Sequence, residues 1–252
     1  VCLMRTSWSD PNGIYLGFKA GSASVNHGHM DIGSFVMESD GVRWASDFGK
    51  QEYESLESKG IEVFGRTQDA QRWSIFRLNN QAHNTLTIDN QLQLVKGYAK
   101  IDRFSDQPEF SFAVSDLSSV YENQLLSAIR GVGIIDSKYV VIRDEITAEN
   151  KSTTVRWTML TGANVEITGK NSMTLTKDGK KLFIKVLCSA EITMKTWTTQ
   201  STTNYDAPNP GTTLLGFELK LNAKQKADIQ VLLIPGSLKT EKIEFSKSLN
   251  EW

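Results

Sequence analysis

The sequence is poor in several things, and each shortage excludes something. It holds two cysteines in 252 residues, Cys2 and Cys188, too few for a disulfide framework and without the spacing of a metal knuckle. Two unpaired thiols are the expected state, and cysteine usage leaves the compartment unread. An excess of one charge sign is missing too: 28 basic residues face 29 acidic ones, for a formal net charge of −1. No global basic field is available to hold nucleic acid or an anionic membrane surface, so neither is an expected partner. No apolar run approaches the roughly 20 residues that span a bilayer. The chain opens Val1-Cys2-Leu3-Met4, without an initiator methionine and without the regions of a signal peptide. A piece of a longer polypeptide is expected to look like this. Helical periodicity is almost absent.

What is present is ordinary globular material, 39% hydrophobic and 23% charged, enough for one large domain or two small ones. Period-two alternation recurs throughout. Ile14, Leu16, Phe18 and Ala20 share one face of an extended segment, as do Val155, Trp157 and Met159. Leu182, Ile184 and Val186 repeat the pattern, and so do Ile229, Val231 and Leu233. Tyr139-Val140-Val141-Ile142 is a continuous, mostly β-branched run suited to a strand buried on both faces. Turn signals separate the runs: Asp10-Pro11-Asn12-Gly13, Ser39-Asp40-Gly41, Lys177-Asp178-Gly179 and Asn209-Pro210-Gly211. The expected fold is all-β and antiparallel, a large sandwich or a barrel. Residues 52–84 break the rhythm and read as a long loop, with a short helix at Gln68–Trp73 as the other option. Thr196–Asn204 reads as an exposed loop, and any domain division falls near Asn150.

Chemistry concentrates on the three histidines. Two lie in Asn26-His27-Gly28-His29-Met30-Asp31. In extended backbone, His27, His29 and Asp31 project to one face, and Gly28 permits a bulge. A lone histidine is most often a satisfied structural side chain, but two imidazoles around one glycine beside a carboxylate suit a divalent metal such as zinc. Asp47, in Trp44-Ala45-Ser46-Asp47-Phe48-Gly49, and His83, in Gln81-Ala82-His83-Asn84-Thr85, are further candidate ligands; each alone reads as a turn or capping residue. Arg66 and Arg77 could meet carboxylates bidentately, with a solvated surface as the simpler reading.

The ordered set Arg5-Thr6-Ser7-Trp8, Tyr15–Gly21, Asn26–Phe35, Gly41–Gly49 and Ala82–Thr85 resembles the heparinase II/III-like polysaccharide lyases. The resemblance is dense up to Thr85 and thin beyond it. It implies that residues 1–252 form a C-terminal β-sandwich that an α/α toroid precedes, with an acidic polysaccharide bound between the two. It further implies that His29, Asp47 and His83 hold a structural zinc, that His27 is catalytic and faces the cleft, and that Tyr53 and Asn26 meet substrate. By the same resemblance Asp31 stays out of the coordination sphere, although the shared strand face favours it as a ligand. The reaction implied is β-elimination beside a uronic acid, by a periplasmic or secreted parent, with the remaining catalytic groups on the toroid. Three alternatives stand beside it. A cupin fits the Gly21 to His27 spacing but lacks the following glutamate. A metallo-β-lactamase-type hydrolase uses His-x-His-x-Asp but needs alternating helices. A non-catalytic carbohydrate-binding sandwich would use exposed tryptophans among Trp8, Trp44, Trp73, Trp157, Trp197 and Trp252, most of which are expected to be core residues.

Overall fold

The computed structural model describes residues 1–201, 203–238 and 245–252. The first antiparallel sheet runs in chain order: β1 (Cys2–Arg5), β2 (Tyr15–Phe18), β3 (Phe35–Ser39) and β4 (Val42–Ala45). Of the strands that follow, β5 (Leu86–Ile88) and β10 (Thr153–Thr161) lie in a second sheet with β14 (Ile192–Trp197) and β15 (Thr213–Leu221), in the order β14-β15-β10-β5. The third sheet has eight strands: β6 (Arg103–Gln107), β7 (Phe110–Asp116), β8 (Leu125–Ile135), β9 (Tyr139–Ala148), β11 (Asn164–Gly169), β12 (Ser172–Lys177), β13 (Lys180–Cys188) and β16 (Lys226–Pro235). Its order is β11-β12-β13-β16-β9-β8-β7-β6. A bridge between Ser46 and Leu160 joins the two smaller sheets, and all three share one core. The sheets stay open, so the fold is a sandwich and not a barrel.

The alternating residues face inward as the pleat demands. Leu16 and Phe18, Val155, Trp157 and Met159, Leu182, Ile184 and Val186, and Ile229, Val231 and Leu233 all enter the shared core. In β9, Val140 and Ile142 face that core, while Tyr139 and Val141 face the opposite side and pack under Leu249 and Trp252. The C-terminal segment is therefore the cover that lets this strand be apolar on both faces. β9 and β10 flank Asn150 and contribute to the same core, so the structure shows no division there. Trp44, Trp73, Trp157 and Trp252 are buried, whereas Trp8 is 75% exposed. Thr196 and Trp197 close β14, with the Arg156 guanidinium 4.3 Å from the Trp197 ring centroid, which corrects the loop reading for those two residues only; the described residues of 198–204 hold no helix or strand. Cys2 and Cys188 are free and half-buried.

Residues 52–84 are not a bare loop, and the short helix expected at Gln68–Trp73 is a single 3₁₀ turn at Gln71–Ser74. They form α1 (Tyr53–Glu57) and three single turns of 3₁₀ helix at Gln71–Ser74, Phe76–Leu78 and Asn80–Ala82. The segment carries its own small core, in which Leu56, Ile61, Val63, Trp73, Ile75 and Leu78 close around Met30 and Val95. Its apolar residues follow no single period because they pack into a knot of turns and not onto a flat face.

Inside the main body, Arg130 on β8 faces Asp144 on β9, both essentially without solvent exposure. Arg130 donates from Nε to Oδ1 at 2.6 Å and from Nη2 to Oδ2 at 2.9 Å. Its Nη1 donates to the carbonyls of Gly33 at 2.8 Å and Asn84 at 3.1 Å. Removing one member of such a pair strands a buried charge, at about 3–5 kcal/mol. Asp144→Ala is expected to lose that much in denaturant unfolding; a loss below about 1 kcal/mol would show that the pair is not a structural anchor.

Candidate functional site

The segment between β2 and β3 carries the first two histidines, and it is not a strand. Gly28 N–H donates to the Val25 carbonyl at 2.9 Å, closing a turn in which His27 takes a left-handed φ of 56°. This corrects the shared-face expectation: one turn sends His27 outward and leaves His29 to turn inward. The reorientation occurs at His27, and no bulge at Gly28 is needed. Glycine is required at position 28 for space, since a Cβ would lie 2.8 Å from the Ala23 carbonyl oxygen and 2.9 Å from that of Val25.

Long-range hydrogen bonds fix this loop. Arg72 Nη2 donates to the Gly28 carbonyl at 2.8 Å, and Met30 N–H donates to the Leu78 carbonyl at 2.9 Å. Ile32 N–H donates to Gln93 Oε1 at 3.1 Å, and its carbonyl accepts from Gln93 Nε2 and Thr85 Oγ1, both at 2.8 Å. Asn84 joins the pieces. Its Nδ2 donates to the carbonyls of Phe35 at 2.6 Å and Ser46 at 2.7 Å, and its Oδ1 accepts from Leu160 N–H at 2.6 Å. Asn84 thus pins β3, β10 and the Asp47 segment around its neighbour His83. Sequence reasoning treated it only as part of a motif; an asparagine directly after a candidate ligand is the signal that was there to read.

A cluster of imidazoles and carboxylates lies behind the loop, with His83 and Asp31 buried, His29 half-buried and Asp47 at the exposed edge. One donor atom each from His29, Asp31 and His83 lies within 4.8 Å of the others, and the two imidazole rings are 5.5 Å apart. His83 is fully buried, with Nδ1 2.7 Å from Asp47 Oδ2. Asp47 Oδ1 accepts from Gly49 N–H at 2.7 Å, and Asp31 Oδ2 accepts from Lys19 Nζ at 2.7 Å. His83 Nε2 and Asp31 Oδ1 are buried and have no hydrogen-bond partner among the described residues. Burial, and then the nearby His83, push His29 down to about 4, so it is a neutral imidazole at neutral pH. Burial also opposes charge on His83, but the Asp47 carboxylate outweighs it and raises the pKa. Burial likewise opposes charge on Asp47, and His83 outweighs it and holds that carboxyl well below the usual range. Two imidazoles and two carboxylates are residue types that suit a divalent cation; the donor atoms that converge belong to His29, Asp31 and His83, while the expected ligand Asp47 reaches the cluster through His83 Nδ1.

The outer side carries a different pair. His27 Nδ1 lies 2.7 Å from the Tyr53 hydroxyl at the start of α1, with the rings 5.7 Å apart and 12° from parallel. Asn26 is exposed in the same turn and makes no side-chain hydrogen bond among the described residues. Arg66 is exposed. Arg77 is not a free surface cation: it donates to Asn209 Oδ1, from Nε at 2.9 Å and Nη2 at 2.7 Å, and to the Lys50 and Pro208 carbonyls. Its polar atoms are taken up in tying the 3₁₀ segment to residues 208–209.

The family model described as Heparinase II/III-like, C-terminal, matches residues 5–247. The chain belongs to this family. Membership sets aside the cupin and metallo-β-lactamase readings. Among solved structures, the fold is similar to heparinase III, with a TM-score of 0.70 and 16% identity over 92% of this chain and 35% of that one. Heparan sulfate lyase HepC from Pedobacter heparinus gives a TM-score of 0.70 and 21% identity over 95% of this chain and 36% of that one. The chain therefore spans about a third of the solved relatives it matches, and at these identities the likeness shows the fold. A search of curated proteins finds no match.

The geometry separates what holds the loop from what faces outward. Asn84→Ala strands three buried backbone groups and is expected to lower unfolding stability by about 2–4 kcal/mol. His27→Gly, at a left-handed exposed position, is expected to change it by less than about 1 kcal/mol. Equal losses in a denaturation experiment would contradict this division.

Proposed function

We propose that the chain is the β-sandwich part of a lyase that cleaves uronic-acid-containing polysaccharides by β-elimination. Family membership supports the class, and the observation that carries the site is the exposed His27–Tyr53 pair set directly over a buried histidine–carboxylate cluster. In this reading a preceding α/α toroid supplies the other wall of the cleft and the remaining catalytic groups. The parent works in the periplasm or outside the cell, where acidic polysaccharides are found.

β-Elimination needs the uronate charge neutralised, the C5 proton removed and the departing O4 protonated. His27 can meet one of these needs at one atom, with the others left to the toroid. With Nδ1 engaged by the Tyr53 hydroxyl, Nε2, which has no partner among the described residues, is left to exchange a proton with substrate or to donate to its carboxylate. Asn26, one residue away, supplies a neutral hydrogen-bonding group to the same sugar.

The buried cluster is assigned to a structural zinc held by His29, Asp47 and His83. Asp31 is already neutralised by Lys19 and stays an outer carboxylate. Zinc there cross-links the loop to β5 and the Asp47 segment; elimination consumes no water, so no metal-activated nucleophile is called for. A metal bound only in the folded state adds directly to folding stability.

Two results follow. The 252-residue chain alone is expected to show no turnover of heparan sulfate, hyaluronan or alginate, followed by absorbance of the unsaturated product, and His27→Ala is expected to abolish activity in the full-length parent. Robust turnover by the chain alone would overturn the two-domain active site. Elemental analysis is expected to find one zinc per chain, with His29→Ala, His83→Ala and Asp47→Asn each losing metal and melting temperature together while Asp31→Asn keeps the metal. Loss of zinc in Asp31→Asn with retention in Asp47→Asn would move the site to the Asp31 side of His83.

A further inference from the structure

Beyond His27 and Tyr53, the same surface carries an aromatic ring that the proposed reaction does not use. Phe64 is 52% exposed, although the residue before it, Val63, is buried in the small core. Its ring meets Tyr53 edge-on, with centroids 5.4 Å apart and planes at 72°. Tyr53 in turn lies against His27, so three rings stand in a row along the surface. The turn beneath Phe64 is built to hold it. Glu62 Oε1 accepts from Phe64 N–H at 2.6 Å, Oε2 accepts from Gly65 N–H at 2.8 Å, and Glu62 N–H donates to Gln71 Oε1 at 2.9 Å. A Cβ at Gly65 would lie 2.5 Å from Glu62 Oε2 and 2.7 Å from the Ala70 Cβ, so the turn has no room to relax around a larger residue. A large apolar side chain exposed at the surface on a hydrogen-bonded turn, next to polar groups of a reactive pair, has the composition of a ligand wall.

We propose that Phe64 is the stacking wall of a sugar subsite beside the His27–Tyr53 pair, taking one ring of an acidic oligosaccharide. The inference rests on the lyase reading above and adds a recognition residue to it. A pyranose offers one face of axial C–H bonds, which an aromatic ring covers, and carries its carboxylate or sulfate on the rim. Arg66, exposed and two residues further along, supplies a cation for that rim. Because the turn is already ordered, stacking costs little conformational entropy. Apolar stacking is insensitive to salt, whereas the contact from an exposed arginine is screened, so ionic strength separates the two contributions.

The test titrates the chain with heparan sulfate and alginate oligosaccharides by NMR, which reads millimolar dissociation constants. Phe64→Ala is expected to weaken binding about tenfold, equally at about 50 mM and about 300 mM NaCl. Phe64→Trp is expected to restore it, with melting temperatures of both variants within about 2 °C of the unaltered chain because the ring is half exposed. Arg66→Ala is expected to weaken binding at low salt and little at high salt. Equal affinity of Phe64→Ala and the unaltered chain, a loss that disappears at high salt, or no recovery with tryptophan would overturn the subsite and leave the lyase reading standing. Failure of the unaltered chain to bind any acidic oligosaccharide would overturn the subsite as one this domain holds, whereas the lyase reading, whose cleft needs the toroid, falls only if the full-length parent shows no turnover.

Discussion

The arrangement of this molecule depends on one buried charge pair. Arg130 and Asp144 face each other on adjacent strands of the eight-stranded sheet, and the two N–H groups of Nη1 are left to bond elsewhere after Nε and Nη2 have met the carboxylate. Both go to backbone carbonyls outside that sheet, those of Gly33 and Asn84. A buried ion pair is a weak source of stability by itself. Its value here is positional: every guanidinium nitrogen has a partner, so the site loop and the residue following His83 are held at fixed places on the rigid sheet.

From that anchor the order passes outward through Asn84. Its amide reaches the start of β3, the Asp47 segment just after β4 and the end of β10, the last far along the chain from the first two. His83 lies beside it with its ring enclosed, its backbone carbonyl accepting from Thr158 Oγ1 at 3.0 Å and its Nδ1 turned to Asp47. The imidazole is thus oriented before any ligand arrives, which is the condition for a metal or catalytic centre to bind without reorganisation.

The two histidines flanking Gly28 divide the work. His29 is pressed into a low-dielectric cluster and kept neutral, while His27, two residues away, is in water and bonded to a tyrosine from a different element. The left-handed turn at His27 accomplishes this separation. It also aligns His27, Tyr53 and Phe64 in one row, each contributed by a different turn, on a surface whose apolar support is the small core around Trp73 and Leu56.

Local pattern alone determined the strands. The pleat forces alternate side chains to opposite faces, so the inward sets around Leu16, Trp157, Ile184 and Val231 could be read from spacing. The doubly apolar character of Tyr139–Ile142 was readable too, though not that Leu249 and Trp252 cover its second face. The motifs around His27, His29, Asp47 and His83 were visible because each is a short run. What only the tertiary structure decided is where those runs meet. β10 pairs with β5 and β15 across long stretches of chain, and Arg130 reaches the site from another sheet. The opposite facing of His27 and His29 escaped a strand-based reading because a turn closed by Gly28 N–H replaces the expected pleat. Asn84 and Arg130 act through backbone carbonyls, which every residue has, so no local pattern marks their partners. Spacing encodes periodicity along the chain; contacts between distant carbonyls and single side chains exist only once the sheets have packed.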